Sequence, residues 1–356
     1  MSEGYEIREF RPGDESAILA LFQQVFGRER SLAHWRWKFE QSPYPGPQIA
    51  LAFDKRSGAL AAHYAVVPVQ LNWMGRPLLA AQSVDTMVHP DAQGRGLFEA
   101  TARALYAALP ERGIRLVYGL PNRSSYPGFM RKLAWKRVGF LSVYQQRLSI
   151  RQPLARVLGL RALAAGADLA YRSARRVRGA AACWLLRRRL GGRLRFRASD
   201  ALPEAWDGLW DELRSHEVVS LWKDAEYLRW RYDRHPERRF AHACLERDGA
   251  LVALAVVELG HRRELRICEL QVQQHDVLLA RLLLAEIAAH FGHAGAEVLS
   301  FRGLDAGFSE AVFQGFERET DFALVFAGRP LDAPELAECF ARRDDWSLTL
   351  GDTDLV

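Results

Sequence analysis

Cysteine is scarce in this chain: four residues in 356, at 183, 244, 268 and 339, with no Cys-x-x-Cys pair. A metal knuckle or a disulfide framework needs closer spacing, so these read as free thiols in a reducing compartment. Residues 1–150 contain no cysteine, which excludes a thiol nucleophile there. No apolar run approaches the roughly 18 residues of a membrane-spanning helix. The start, Met1 to Glu6, is acidic and lacks the apolar core of an export signal, so a cytoplasmic protein is expected. There is no GxxxxGK[ST] and no GxGxxG, so neither a P-loop nor a Rossmann fingerprint is present.

What is there suffices for a core. Hydrophobic residues make up 49% and charged residues 26%, and the length favours two domains. The net charge of +6 is unevenly spread. Residues 151–197 hold thirteen arginines, no lysine and one acid, Asp168, a local charge of +12 that leaves −6 for the rest of the chain. A mildly acidic body with a basic belt argues against a general nucleic-acid binder.

The chain repeats itself. Trp37-Lys38-Phe39-Glu40-Gln41-Ser42-Pro43 returns as Trp230-Arg231-Tyr232-Asp233-Arg234-His235-Pro236. Gly58-Ala59-Leu60-Ala61-Ala62 returns as Gly249-Ala250-Leu251-Val252-Ala253, and Ala134-Trp135-Lys136-Arg137 as Gly315-Phe316-Glu317-Arg318. Three matches in order, at offsets of 181–193, point to a duplicated domain. The expected division is 1–150, a basic helical linker 151–197, and a second copy in 198–356 whose last strand ends near Pro330 before a short polar tail. Copy one reads as α/β. Strands are expected at Tyr5–Phe10, Ile49–Phe53, Leu60–Leu71, Leu78–Val88 and Ile114–Leu120, with more closing the copy over Lys136–Ile150. Helices are expected after Asp14, over Ser31–Phe39, from Leu97 to Pro110, and after Ser124/Ser125.

The stretch Val84-Asp85-Thr86-Met87-Val88-His89-Pro90-Asp91-Ala92-Gln93-Gly94-Arg95-Gly96-Leu97-Phe98 is strand, glycine-bearing loop, helix. Free amides at a helix N-terminus, with its dipole, bind phosphate oxygens. Gly94 and Gly96 permit close backbone approach, and Gln93 and Arg95 add donors. A lone Gly-x-Gly is a weak signal, equally an ordinary turn before a helix.

Here the residues resemble the GNAT superfamily of acyl-CoA N-acyltransferases. The segment looks like that family's pyrophosphate loop, Arg/Gln-x-x-Gly-x-Gly/Ala. Gln93 and Gly96 match its first and fourth positions, while Phe98 stands where the last Gly/Ala is expected. Ile7 to Asp14 is similar to the family's first strand and helix start. Leu120-Pro121-Asn122, Ser125-Tyr126-Pro127-Gly128-Phe129 and Leu133-Ala134-Trp135 resemble its fifth strand, next helix and closing turn. The likeness covers residues 5–150 well, and 198–330 only as architecture. It implies two GNAT-like mixed-sheet domains in tandem, joined by the Arg-rich helical segment. The implied activity is transfer of an acetyl group from acetyl-CoA, as co-substrate and without a metal, to an amine of a small or cell-envelope-related acceptor.

The implied site has Met87 and Val88 pairing through their backbones with the pantetheine arm. Gln93, Gly94, Arg95, Gly96, Leu97 and Phe98 take the pyrophosphate, and Asn122 bonds the arm. Asn122 also reads as a plain turn residue. Asp85 is the first choice of base, since burial in an apolar strand raises a carboxyl pKa. A salt-bridge partner is the plain alternative. His63 is the second choice, or else a core histidine bonded to backbone. The family's acid is a Tyr where this chain has Met130, so Tyr126, one turn earlier, is the substitute. Copy two reads Leu270-Gln271-Val272-Gln273-Gln274-His275-Asp276 at the loop, without glycine, and is expected not to bind acyl-CoA. Trp35, Trp37, Trp222, Trp230 and Tyr232 are candidates to line a cleft between copies, or else core. His290 and His293 read as solvated, not as metal ligands.

Within the belt, Leu154, Val157 and Leu158, then Leu169, Tyr171, Ala174 and Val177, suggest helices with a narrow apolar stripe. Three readings stay open: a solvated linker, an interfacial helix on anionic lipid at the inner membrane face, or contact with nucleic acid, the least favoured. The alternative functions are a Fem-type aminoacyl transferase using aminoacyl-tRNA, which needs no CoA loop, and a non-catalytic membrane-associated GNAT-fold binding protein.

Overall fold

One mixed sheet of fourteen strands runs through both halves of the chain, as seen in a computed structural model. The structure describes residues 4–152, 154, 161–214, 219–261, 263–292, 296–304 and 307–355. Val157, Leu158 and His293, singled out above, lie outside the described residues.

The first half runs β1 (Tyr5–Glu9), α1 (Glu15–Phe26), α2 (Leu32–Phe39), β2 (Gln48–Asp54), β3 (Leu60–Trp73), β4 (Arg76–Val88), α3 (Leu97–Ala108), β5 (Leu116–Gly119), α4 (Tyr126–Lys132) and β6 (Lys136–Arg147). The first two helices start where the local signals place them, but Asp14 is not the side-chain cap expected for α1. Ser31 caps α2 by accepting from the His34 amide at 3.1 Å. Asp14 precedes α1 but caps nothing with its side chain. Its carboxylate is taken by both guanidinium nitrogens of Arg8, at 2.7 and 2.8 Å, a stronger charged pair than a neutral cap.

The belt contains one described 30-residue helix, α5 (Arg161–Leu190). The second half runs β7 (Leu194–Ser199), α6 (Trp206–Leu213), β8 (Val219–Leu221), α7 (Ala225–Leu228), a wide turn Arg229–Asp233, β9 (Arg239–Arg247), β10 (Ala250–His261), β11 (Glu264–Val272), α8 (Val277–Phe291), β12 (Val298–Leu304), α9 (Phe308–Val312), β13 (Glu317–Pro330) and β14 (Leu348–Thr349).

The strand order is β1-β2-β3-β4-β5-β13-β6-β12-β11-β10-β9-β7. Each half thus sends its last long strand into the other. β13 pairs with β5 from Ala327↔Gly119 to Pro330↔Leu116. β6 pairs with β12 from Val298↔Arg147 to Gly303↔Ser142, and β6 and β13 pair with each other. Within Lys136–Ile150 there is one long strand, Lys136–Arg147, shared between halves, not a set of strands closing the first.

One face of the sheet carries a core common to both halves, with Phe22, Trp35, Trp37, Trp206, Trp230 and Trp346 among its members. On the other face α3 and α4 pack over the first half, and α5 and α8 over the second. At the junction the Trp37 indole donates to the Trp230 carbonyl at 2.8 Å, and the Trp230 indole donates to the Trp37 carbonyl at 2.8 Å. The rings stack at 5.2 Å. A reciprocal bond of this kind is what a local two-fold axis generates.

Two expectations change. Trp35, Trp37, Trp230 and Tyr232 are buried core residues rather than cleft lining, and Trp222 is half-buried against the same core. The segment after Pro330 is not a polar tail: Leu336, Phe340, Trp346, Leu348 and Leu350 are buried. The exchange predicts that a fragment 1–150, lacking β13, leaves β5 and β6 with open edges and self-associates. Co-expression with 151–356 is expected to restore a soluble complex on size-exclusion chromatography. A monomeric 1–150 fragment with cooperative unfolding would contradict this.

Candidate active site

β4 and β5 run parallel, and only Ala81↔Val117 and Gln82↔Tyr118 pair. Beyond them β4 continues to Val88, whereas β5 stops at Gly119. From Ser83 onward the β5-facing edge of β4 therefore has no partner on that side, and a wedge opens. Met87 and Val88 are held from behind by His63 and Ala62 of β3. A register shift between His63 and Ala65 marks a bulge at Asp85, whose φ of +47° is rare for a non-glycine. An extended amide-bearing chain laid in such a wedge would complete the ladder.

The wedge leads to the start of α3. Gly94 (φ +75°) and Gly96 (φ +78°) turn the chain, and Gln93, Gly94, Arg95 and Gly96 are exposed. A helix leaves its first-turn amides without internal acceptors, and Gly96 at the cap position has no side chain to fill that role. Arg95 bonds the Tyr5 hydroxyl at 3.0 Å. The His89 ring accepts from the Asp91 amide at 3.2 Å and so shapes the loop entrance. Phe98 is accommodated by Gly128, where a Cβ would lie 2.8 Å from the ring, and packs against Phe129. Met130 is partly buried beside the same cluster.

Behind the wedge runs a polar chain that sequence reading missed. Ser83 donates to the Tyr64 hydroxyl at 2.9 Å, Tyr64 and Tyr106 share a 2.5 Å bond, and the Trp135 indole donates to Tyr106 at 3.0 Å. Burial pushes both phenol pKa values up, so both keep their protons.

The environment of Asp85 reverses the sequence expectation. Burial alone would raise its pKa, but Lys38, with Nζ at 3.0 Å, and Arg30, in direct contact, hold it well below the usual carboxylate range. A carboxylate so held accepts no proton near neutral pH, and it serves here as counter-ion to two buried cations. Lys38 also contacts Asp354 from the far end of the chain. His63 donates from Nδ1 to the Asp85 carbonyl at 2.8 Å, which leaves Nε2 as a buried lone pair without a partner. Burial pulls its pKa down to about 4, so the ring is neutral. Asn122 is exposed, and its side-chain oxygen accepts from the Ser124 and Ser125 amides at 3.0 and 2.9 Å. The oxygen is thus spent on the turn into α4. Tyr126 opens that helix and is half-buried.

The second half repeats the geometry and closes it. β11 and β12 run parallel and separate after Ile267↔Phe301. The gap holds β14, paired Gly303↔Thr349 and Leu304↔Leu348. At the loop, Gln274 (φ 51°) and His275 (φ 50°) adopt the left-handed turn without glycine. The Asp276 carboxylate caps α8 from 2.8 and 3.2 Å, placing negative charge where an anion would bind. Glu269, bonded by Lys223 at 2.7 Å and Tyr232 at 2.8 Å, stands where Asp85 stands in the first half. Lys223 and Arg231 follow Arg30 and Lys38 by 193 residues each. Among the described residues no group of three or more His, Cys, Asp or Glu converges as metal ligands.

Residues 6–138 match the family model of an acetyltransferase (GNAT) domain. That segment is similar to a GNAT acetyltransferase domain. Across nearly its whole length the fold is similar to three solved structures. One is a conserved protein of Enterococcus faecalis described as a probable N-acyltransferase, at 11% identity and TM-score 0.62, spanning 93% of this chain and 74% of that one. The others are GCN5-related N-acetyltransferases from Kribbella flavida (15% identity, TM-score 0.60, 93% and 72% of the two chains) and Anabaena variabilis (10%, 0.62, 92% and 73%). At these identities the likeness is one of fold. No protein of curated function matches the chain in sequence.

Asp85→Asn leaves Arg30 and Lys38 buried with less than their full countercharge. A loss of about 3–5 kcal/mol in denaturant unfolding is expected. Because the folded-state pKa is depressed, the wild-type contribution is complete above pH ~4 and fades as pH falls below it. A stability change under about 1 kcal/mol would contradict the assignment.

Proposed function

We propose that this protein transfers an acetyl group from acetyl-CoA to an amine, with the chemistry confined to the first half. The observation that carries the reading is the contrast between the two wedges. The first is open and leads to a helix start bare of side-chain caps, while the second is filled by β14 and capped by Asp276. In this reading the first-turn amides of α3, with Gln93 and Arg95, take the pyrophosphate. The backbones of Met87 and Val88 pair with the pantetheine amides, and the Asn122 side-chain nitrogen reaches the arm.

The acceptor nitrogen attacks the thioester carbonyl, a C–N bond forms, the C–S bond breaks, and CoA leaves as thiolate. Asp85 drops out as base. In this reading the neutral, unpartnered His63 Nε2 lone pair takes over as acceptor for the amine's hydrogen, orienting it while the proton passes to solvent. The Tyr126 hydroxyl, standing in for the family's acid, protonates the departing thiolate to the thiol and regains its proton from solvent. In this reading the reaction takes place in the cytoplasm. Residues 198–356 act as a duplicated, non-binding copy that completes the sheet.

The test is thermal unfolding with acetyl-CoA, with CoA and with neither. At ~100 times Kd a ligand stabilises by about 2.7 kcal/mol, a rise of several degrees. Gly96→Glu, at a position open to solvent, is expected to abolish the rise while costing the unliganded protein no more than about 1–3 kcal/mol of backbone strain. Acetyl-CoA giving no shift would refute the proposal. His63→Gln is expected to keep the shift and lower kcat at least tenfold, and unchanged turnover would remove His63 from this role.

A further inference from the structure

The helix α5 is fastened along one side. Asp168 accepts from Ser149 at 2.8 Å and from the Ile150 amide at 2.7 Å. Arg175 reaches the Arg147 carbonyl at 2.8 Å, and Arg187 pairs with Glu286 at 2.6 Å. Cys183, Leu186 and Leu190 pack on the second core.

The opposite side is apolar and exposed. Leu163, Ala170, Val177, Ala181 and Trp184 follow one another at helical spacing along it, with Leu185 at its border. Leu163 is 61% exposed, Val177 71% and Trp184 59%. Large side chains lined up in water over roughly 30 Å of helix are uncommon on a protein that stands alone. Exposed Arg176, Arg178, Arg188 and Arg189 border the stripe, and Arg188 lies 5.5 Å over the Trp184 ring. The helix has eight arginines and one acid, Asp168, which is already bonded on the inner side.

We propose that this outer face seats the protein on an anionic lipid bilayer. Leu163, Val177 and Trp184 would enter the acyl boundary, and the bordering arginines would meet lipid phosphates. Charge decides between occupants. A second copy of the helix would bring arginine against arginine with no free acid to pair them. A nucleic acid would meet the arginines but leave the Leu-Val-Trp stripe in water. An anionic bilayer satisfies both features. No described helix is long and apolar enough to cross a membrane, so the contact is in the plane of the surface.

The experiment is flotation of the full-length protein with phosphatidylcholine vesicles and with vesicles containing phosphatidylglycerol, at low and high salt. Binding is expected to the second only, and to fall with salt. The pair Val177→Gln and Trp184→Gln, which leaves the charge unchanged, is expected to weaken it at least tenfold. Each Arg→Gln change at 178, 188 or 189 is expected to weaken it about fivefold. The unfolding midpoint and the acetyl-CoA shift serve as controls and are expected to stay unchanged, because the substituted side chains face water. Failure to bind phosphatidylglycerol vesicles at low salt would overturn the proposal. So would binding indifferent to the Val177/Trp184 pair, a two-chain mass by light scattering that this pair reduces to one, or tight binding to duplex RNA without vesicle binding.

Discussion

Two strands pair outside the half of the chain that encodes them, and the rest of the molecule depends on that exchange. β13 fills the place beside β5, and β6 fills the place beside β12. Neither half can close its sheet alone, because each would leave a row of backbone donors and acceptors open. The exchange makes one sheet of two and draws the helices of one face into a shared core. It also sets α2 against the turn 229–233, so that Trp37 and Trp230 meet and bond reciprocally. From that contact follows the placing of the buried ion clusters. Lys38 with Asp85 lies on one side and Arg231, Lys223 and Glu269 on the other, with the C-terminal residues threaded between them. Asp352 meets Lys223 at 3.0 Å, and Asp354 meets Lys38.

The two ends of this sheet differ by a small number of atoms, and the differences all act in one direction. Gly96 has no side chain to satisfy the α3 amides, whereas Asp276 satisfies those of α8 and adds a negative charge. The first wedge stays open beyond Gln82, whereas the second receives β14. Gly351 shows how closely the tail is fitted, since a Cβ there would lie 2.4 Å from the Glu269 carboxylate. Gln274 and His275 keep the left-handed backbone of a loop that glycine serves in the first half, at a cost in strain that local packing has to offset. A single scaffold thus carries one end with an open wedge and an uncapped helix start and one end sealed by the protein itself.

Much was legible from the chain alone, because the signals are local. Apolar runs bounded by turn residues marked β3 and β4, Ser31 marked α2, and Gly94-Arg95-Gly96 marked the turn into α3. The missing glycine at 270–279 already separated the two copies. The readings that changed concern residues whose partners lie far along the chain. Asp85 looked like a base because its neighbours are apolar, but its charge is set by Arg30 and Lys38, 55 and 47 residues away. Asn122 looked equally suited to ligand or turn, and the Ser124 and Ser125 amides claimed its oxygen.

The sequence by itself determined which segments are strand and helix, where the backbone could approach an anion, and that the pattern occurs twice. Those properties rest on side-chain periodicity and on the freedom of particular backbone positions, both of which a few neighbouring residues specify. The tertiary structure alone decided which strand pairs with which, whether a buried carboxylate is basic or neutralised, and that the segment after Pro330 seals the second wedge. Strand edges offer the same backbone groups whatever the sequence, and the energy of a buried charge depends on every ion within a few ångströms. Only the folded chain brings those groups together.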